Sequence, residues 1–246
     1  MLGVIGGTGL NDPLFLQEVH LQQVSTPYEP QPVGILRGLC QGREVAFLPR
    51  HGRGHKIPPH RINYRANLWA LHSIGVTELI GINAVGGIHP ELGPGVLAVP
   101  DQIIDYSWGR EHTFFDEGLE QVTHIDFTRP YDETLRQGLI QACADMPAPV
   151  LAQGVYGCTQ GPRLESAAEI RRLQRDGCDM VGMTGMPEAA LARELGLAYA
   201  CLALSVNWAA GISEEEITME AIARVLDSGM STVLGILRQT IQERAA

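Results

Sequence analysis

The sequence predicts an α/β fold in which short buried strands alternate with amphipathic helices. Short apolar runs typical of buried strands alternate along the chain with longer stretches in which apolar residues recur at helical spacing. Glycines and polar residues directly follow several of these strands, as they do at the ligand-binding edge of open α/β sheets. The chain has 246 residues, 45% of them hydrophobic, which is enough for one large core. We therefore expect one domain over residues 1–246.

The strands are predicted from apolar runs, and the glycine-rich or polar segments behind them mark their ends. They span residues 2–5, 44–48, 78–83, 96–104, 150–156, 180–182 and 197–206. The first strand is followed by Gly6-Gly7-Thr8-Gly9, and the second is followed by Arg50-His51-Gly52-Arg53. The last strand is strongly apolar and ends at Asn207.

The helices are predicted from apolar spacing and from capping residues. They span residues 63–73, 132–144, 165–175, 187–195 and 218 to about 244. In the second helix, Leu135, Leu139 and Cys143 lie on one face. Pro187 begins the fourth helix, where its missing N–H leaves no bond unmade, and Thr218 is the expected N-cap of the last.

Composition excludes several classes of protein. The formal net charge is −10 and there is no run of Lys or Arg, which argues against nucleic-acid and membrane-surface binding. The N-terminus lacks the basic region of a signal peptide, and the longest apolar run, residues 195–206, is too short to span a bilayer. Five scattered cysteines without a C-x-x-C pair predict reduced core thiols and a cytoplasmic location.

Two strand-end loops could bind an anion. The glycines of residues 6–9 would let backbone N–H groups approach a phosphate, with the Thr8 hydroxyl beside them, although a plain tight turn has the same sequence. The segment is neither G-x-G-x-x-G nor a Walker A motif. Arg50 offers a bidentate fork to an oxyanion and His51 a second donor, but a solvated basic loop is an open alternative.

Metal and nucleophile patterns are not found. His51, His55 and His60 are separated by glycine and prolines that prevent a helix, and no carboxylate has the H-E-x-x-H spacing, so we expect no metal site. There is no G-x-S-x-G segment and no cysteine with a local histidine signature. The residues alone therefore predict an α/β enzyme or binding protein with anion-binding loops.

Seven motifs follow one another through the chain: G-G-T-G at 6–9, R-H-G at 50–52, N-Y-R-A-N-L-W-A-L at 63–71, N-A-V-G-G at 83–87, T-Q-G-P-R-L-E at 159–165, G-M-T-G-M-P-E at 182–188 and the strand ending in Asn207. In this order and spacing they resemble the trimeric purine nucleoside phosphorylase and methylthioadenosine phosphorylase family. The resemblance implies one α/β domain with three layers around a central mixed, partly barrel-like sheet. It also implies a homotrimer, or a dimer of trimers, with sites near subunit interfaces. Inorganic phosphate is then the co-substrate, and no metal or organic cofactor is needed.

The resemblance assigns roles position by position. It places a phosphate site at Thr8, Arg50, His51, Ala84 (through its backbone N–H) and Thr184. Met183 matches the residue beneath the ribose, and His124 matches one lent by a neighbouring subunit. Leu164 stands where relatives often have Phe against the purine, which puts ring stacking in doubt. Asn207 would donate to purine N7 as negative charge develops on the leaving base.

The base-binding positions favour a 6-oxopurine. Relatives that take 6-aminopurines have Asp at the positions of Asn207 and Ala209, and a small hydroxylated residue at the position of Glu165. A carboxylate at Glu165 can accept the N1–H of hypoxanthine or guanine, and adenine has no proton there. Buried groups that mismatch a substrate can reject it by about 10⁴-fold. The alternative is that Glu165 only caps the following helix.

The sugar-binding position favours a methylthio group. Relatives that bind a 5′-hydroxyl often have His near the start of the last helix, and here Met219 occupies that position. A thioether pocket suits a methylthio group, although a core methionine of an amphipathic helix would have the same spacing. The expected substrate is thus S-methyl-5′-thioinosine, within purine salvage. The rivals are an inosine/guanosine phosphorylase, a methylthioadenosine phosphorylase and, from another class, a non-catalytic nucleotide-binding protein.

Overall fold

A computed structural model describes residues 1–146 and 149–244 of the chain. Within them, eleven strands form one mixed sheet with helices on both faces, which confirms the predicted three-layer α/β fold. The strands are β1 (Leu2–Gly6), β2 (Gln17–Thr26), β3 (Glu29–Cys40), β4 (Arg43–Pro49), β5 (Glu78–Gly87), β6 (Leu97–Ala98), β7 (Gln102–Asp105), β8 (Val150–Leu151), β9 (Val155–Cys158), β10 (Met180–Gly182) and β11 (Ala198–Trp208). The helices are α1 (Tyr64–Ser73), α2 (Glu133–Ala144), α3 (Ala167–Arg175), α4 (Glu188–Glu194) and α5 (Met219–Glu243), with a 3-10 turn at Pro59–Arg61.

Strand β5 is the centre of the sheet and determines where the loops meet. β1 runs parallel to β4 and β5, and β11 also runs parallel to β5. β10 runs antiparallel to the end of β5 and parallel to β9. β1, with β4 beside it, ends next to the middle of β5 at Gly81, whereas β11 continues alongside β5 to Gly87. The loops after β1 and β4 therefore lie together next to residues 82–84 of β5.

The helices cover the sheet in two layers. α2 and α5 bury one apolar face against the sheet, through Leu135, Leu139, Ile236 and Leu237. α1 and α4 cover the opposite face, through Leu68, Leu71, Ala189 and Leu191. Full burial of one such large aliphatic side chain contributes about 1.5–3 kcal/mol. The predicted N-cap of α5 is confirmed, since the Thr218 hydroxyl accepts from the Ala221 N–H at 3.2 Å.

Two predicted strands are wrong because each is split in two. The run 96–104 breaks where Pro100 has no N–H to donate, so β6 pairs with β11 and β7 with β9. The guanidinium of Arg136 donates to the carbonyl oxygens of Val99 and Pro100 in this break. The run 150–156 breaks at Gly154, whose φ of +150° favours glycine and whose N–H donates to the Asp101 carboxylate.

The structure differs from the predicted strands in two further places. The hairpin of β2 and β3 was not predicted, because most of β2 is exposed on both faces and shows no apolar alternation. β5 does not end before its glycines as predicted but runs through Gly87, where a Cβ atom would lie 1.7 Å from the Leu92 carbonyl oxygen. Glycine at this position therefore allows close packing.

All five cysteines are buried and free, which confirms the prediction of core thiols.

Candidate active site

The glycine loop after β1 is a tight turn that rests on Arg50. The Leu10 N–H donates to the Gly7 carbonyl at 3.0 Å, and Gly9 has a φ of +88°, as a type II turn requires. A Cβ atom on Gly7 would lie 2.4 Å from the Ile82 carbonyl oxygen and 2.9 Å from Nη1 of Arg50. Only glycine therefore allows this backbone to approach the guanidinium. Thr8, at the tip of the turn, is half-buried.

Arg50 is locked in place by a buried carboxylate. Its Nε and Nη2 atoms each donate to an oxygen of Glu188 at 2.7 Å, and Nη1 donates to the Ile82 carbonyl at 3.0 Å. Tyr199 adds a third hydrogen bond to Glu188 at 2.8 Å. Arg50 and Glu188 are each 1% exposed. These bonds use three of the five guanidinium N–H groups, and the side chain has no solvent-exposed surface.

The surroundings keep Arg50 charged and Tyr199 protonated. Burial alone would lower the pKa of Arg50, but the charge and hydrogen bonds of Glu188 raise it above its ordinary value. Burial, together with the charge of Glu188, raises the pKa of Tyr199 well above its ordinary value, so its hydroxyl remains a donor. The alternative of a solvated basic loop is wrong for Arg50.

His51 is buried as a neutral ring. Its Nδ1 lies 2.8 Å from the Ile57 carbonyl oxygen, and the residue is 6% exposed. Burial lowers the pKa of His51 to about 4. The hydrogen bond to Ile57 opposes this shift, and the charges of Arg50 and His55 add smaller lowering contributions. Because a carbonyl oxygen only accepts, Nδ1 carries the proton and Nε2 presents a lone pair. The Nε2 atom of such a ring can accept a hydrogen bond from the hydroxyl of a hydrogen phosphate.

Asn83 and Thr184 form a second buried polar pair across β5 and the residues after β10. The Asn83 amide donates to the Thr184 hydroxyl at 2.9 Å, and the Cys201 thiol lies 3.5 Å from the Asn83 carbonyl oxygen. Since the Thr184 oxygen accepts from Asn83, its own hydrogen is free to donate to an anion. Ala84, the next residue in β5, is partly buried and pairs with Leu204 of β11.

The purine-side residues lie on the loop between β9 and α3. The Thr159 hydroxyl donates to a carboxylate oxygen of Glu165 at 2.5 Å, and the Thr159 N–H donates to Gly182 at 2.8 Å. Helix α3 begins at Ala167 rather than at residue 165, and Ser166 with Glu169 forms its capping box. The alternative that Glu165 caps this helix is therefore wrong. Leu164 is 39% exposed.

Asn207 lies at a bulge near the end of β11. The register with β5 shifts between Ser205 and Asn207, which turns the amide toward Gly86. Its Nδ2 donates to the Trp208 carbonyl at 2.7 Å, which leaves the second amide N–H for a ligand. Ala209 is buried in a small apolar cluster with Val181.

Three predicted residues occupy the rim. Met183 contacts the purine-side loop at Gly161, since a Cβ atom on that glycine would lie 2.5 Å from the methionine sulfur. Met219 is the first residue of α5 and is 60% exposed, which makes the alternative of a core methionine wrong. His124 is exposed in the long segment between β7 and α2. Within this single chain, Met219 and His124 are therefore not buried.

The described ranges contain no group of three His, Cys, Asp or Glu side chains placed to hold a metal ion. No helix within those ranges is both long and apolar enough to cross a membrane. Within those ranges the site combines hydrogen-bond donors with the buried charges of Arg50, Arg110 and Glu188 and with the Glu165 carboxylate.

Sequence reasoning missed two buried charged residues of this site. Glu188 stands in the G-M-T-G-M-P-E motif, yet an acidic residue at a helix start is so common that it carries no local signal. Arg110 donates to carbonyl oxygens of residues 159, 160, 183 and 186, all about fifty or more positions away along the chain. No short-range pattern indicates such contacts.

Comparison with known proteins agrees with this geometry. Residues 1–242 match the family model described as the phosphorylase superfamily. A protein of Pseudomonas syringae pv. tomato named "Probable S-methyl-5′-thioinosine phosphorylase" is 54% identical over 241 residues, 97% of each chain. The "6-oxopurine nucleoside phosphorylase" of Pyrococcus furiosus is 42% identical over 98% of this chain and 91% of its own. The solved structure of methylthioadenosine phosphorylase from Schistosoma mansoni with adenine has a TM-score of 0.93 at 33% identity, covering 99% of this chain and 91% of that one. The resemblance found in the motifs is thus confirmed, and the chain belongs to the phosphorylase superfamily.

Proposed function

We propose that this enzyme cleaves S-methyl-5′-thioinosine with inorganic phosphate, giving hypoxanthine and 5-methylthioribose 1-phosphate. The observation that carries the proposal is that anion-binding groups and purine-binding groups both lie around strands β5 and β10. Donors for an anion, Arg50 and the Asn83–Thr184 pair, lie at the middle of β5. Of the purine-side groups, Asn207 lies in β11 opposite Gly86 of β5, and Glu165 follows β9, which pairs with β10.

The phosphate would be held by charge and by preoriented donors. Arg50 contributes the cation, Thr8 and Thr184 contribute hydroxyls, and the backbone N–H of Ala84 contributes a further donor. His51 would accept a hydrogen bond from the hydroxyl of the hydrogen phosphate through Nε2, because its Nδ1–H donates to the Ile57 carbonyl. Groups fixed in advance do not have to reorganise during the reaction.

The chemical step breaks the bond between C1′ and the purine nitrogen as a phosphate oxygen bonds to C1′. The sugar passes through an oxocarbenium-like state, and the electron pair of the broken bond moves into the purine. Asn207 donates an amide N–H to N7 as that negative charge grows, and one such donor is worth about 2.7–4 kcal/mol. The hydrogen bond to the Trp208 carbonyl holds the amide in a fixed orientation. No metal, organic cofactor or covalent enzyme intermediate enters this scheme.

A 6-oxopurine is favoured by the carboxylate. Glu165 is free of helix capping and is oriented by Thr159, so it can accept the N1–H of hypoxanthine. A 6-aminopurine would leave this acceptor without a proton, which costs about 1–3 kcal/mol for each buried group left unpaired. The names of the Pseudomonas and Pyrococcus relatives support this choice of base.

The methylthio group is favoured by Met219 and by the name of the Pseudomonas relative. The runner-up is a general 6-oxopurine nucleoside phosphorylase, as the Pyrococcus relative is named. The second runner-up is a methylthioadenosine phosphorylase, as the Schistosoma structure is named.

We further propose that the enzyme works as a homotrimer in the cytoplasm, within purine salvage. Met219 is 60% exposed and Leu164 39% exposed, although both are assigned to a substrate pocket. A neighbouring subunit that contributes His124 would cover these side chains and complete the pocket. Nucleoside and phosphate are then the only ligands required.

The test incubates the purified protein with S-methyl-5′-thioinosine, with and without phosphate, and identifies the products. We expect hypoxanthine and 5-methylthioribose 1-phosphate only when phosphate is present, with no effect of a chelator. Base release without phosphate would show a hydrolase instead. The double variant Glu165→Ser with Asn207→Asp should shift preference toward the 6-aminopurine, and an unchanged substrate ratio would contradict the proposed roles of both residues.

A further inference from the structure

Arg110 is a buried cation whose neighbours along the chain are exposed. It lies in the stretch between β7 and α2 and is 8% exposed, whereas nearby Trp108 is 72% exposed. Its neighbours Glu111 and His112 are exposed as well. One side chain of this segment therefore enters the protein while those around it remain at the surface.

The guanidinium of Arg110 contacts two separate loops of the active site. On the loop between β9 and α3, Nη2 donates to the carbonyl oxygens of Thr159 at 3.1 Å and Gln160 at 2.9 Å. Nε donates to the side-chain oxygen of Gln160 at 3.2 Å. On the segment after β10, Nη1 donates to the carbonyl oxygens of Met183 at 2.9 Å and Met186 at 2.5 Å.

These contacts connect the two halves of substrate recognition. Thr159 orients the Glu165 carboxylate, which faces the base in the proposed function. Met183 and Thr184 belong to the segment assigned to the sugar and the phosphate. The distance between the two loops therefore determines whether the purine and the phosphate meet C1′ in line.

The chemistry of the contacts suits arginine and no other side chain. The partners are carbonyl, amide and hydroxyl oxygens, and no carboxylate in residues 1–146 or 149–244 pairs with Arg110. A planar fork with five N–H groups can hold diverging carbonyl oxygens at fixed angles, which a lysine ammonium cannot do. The ring of Tyr64 lies 5.6 Å from the guanidinium carbon and closes the remaining side.

We propose that Arg110 is a positioning residue that sets the purine-recognising loop 159–165 against the sugar- and phosphate-recognising segment 183–186. This inference rests on the proposed phosphorolysis. Arg110 touches neither base nor phosphate and acts through the spacing of the groups that do. Substitution of Arg110 should therefore lower the rate of phosphorolysis far more than it weakens the binding of hypoxanthine or phosphate alone.

The experiment compares Arg110→Met and Arg110→Lys with the unmodified protein in three measurements. These are kcat for phosphorolysis of S-methyl-5′-thioinosine, the Kd of free hypoxanthine, and the Kd of inorganic phosphate alone. Misplacement by about 1 Å can lower a rate about 100-fold, so we expect that loss in kcat for Arg110→Met, with both Kd values within about threefold. Arg110→Lys keeps the charge without the fork and should recover part of the loss. If Arg110→Met does not fold, Arg110→Lys alone tests whether kcat falls while both Kd values stay nearly unchanged.

Arg65→Met is the matched control. Arg65 anchors the same segment through the carboxylates of Glu111 and Asp116 and reaches neither active-site loop. We expect its kcat to stay within about threefold of the unmodified protein. An equal loss in Arg65→Met, an unchanged kcat in Arg110→Met, or Kd values that rise as far as kcat falls would each overturn the inference. Absence of phosphate-dependent cleavage by the unmodified protein would instead overturn the proposed function, and the inference with it.

Discussion

Replacing Glu188 by glutamine removes the charge that balances Arg50 while keeping the shape of the side chain. Glu188 accepts two hydrogen bonds from Arg50 at 2.7 Å and one from Tyr199 at 2.8 Å, and almost no solvent reaches the pair. The amide nitrogen of the introduced glutamine would face a guanidinium N–H, so at least one bond becomes a donor–donor contact. Removing one partner of a buried ion pair costs about 3–5 kcal/mol. For a chain of this size that corresponds to a fall in Tm of roughly 6–20 °C.

The assay is denaturant unfolding at fixed protein concentration, together with a phosphate titration of the residual activity. Because Arg50 is held by Glu188, the KM for phosphate should rise along with the loss of stability. Glu44→Gln is the control, since its pair with Arg37 is partly exposed and such pairs are worth about 1 kcal/mol or less. If Glu188→Gln costs no more than Glu44→Gln, the buried pair does not hold Arg50 and our interpretation of the phosphate site is wrong.

Three other predictions concern single groups of the site. Thr184→Val removes the hydroxyl that Asn83 orients and should raise the KM for phosphate by about tenfold, and a change confined to the nucleoside KM would count against it. Leu164→Phe should lower the nucleoside KM a few-fold by adding a ring against the purine, worth about 0.5–1.5 kcal/mol, as steady-state kinetics can measure. The pKa of His51 is lowered by burial from 6.5 to about 4, so unfolding takes up a proton between these values. The contribution of His51 to stability is full above pH 6.5 and declines toward pH 4, by roughly 3 kcal/mol at most, and an equal slope in His51→Gln would refute this.

The sequence predicts the site best where chemistry follows directly from the end of a strand. The loops at residues 6–9 and 50–53 lie together because β1 and β4 are parallel neighbours, and parallel strands end at the same edge. Glu165 and Asn207 are instead assigned through the resemblance of the motifs that contain them to the phosphorylase family. Only the placement of the two loops follows from local sequence and the topology of the α/β fold.

The rest depends on contacts between distant parts of the chain. Glu188 meets Arg50 across 138 positions, and nothing near either residue indicates the other. Residues 96–104 form two strands because β6 pairs with β11 and β7 pairs with β9. A single apolar run does not indicate these partners. The long, exposed β2 lacks the alternation on which strand prediction depends. Local patterns thus locate the loops, whereas the charges that hold them are determined by tertiary packing.

In the proposed function Glu165 and Asn207 select a 6-oxopurine, and Met219 favours a methylthio group. The most direct measurement is kcat/KM for S-methyl-5′-thioinosine, inosine and methylthioadenosine at saturating phosphate. We expect S-methyl-5′-thioinosine to be cleaved best, inosine more slowly, and methylthioadenosine to be rejected by about 10⁴-fold. If methylthioadenosine is the best substrate of the three, the roles given to Glu165 and Asn207 are wrong.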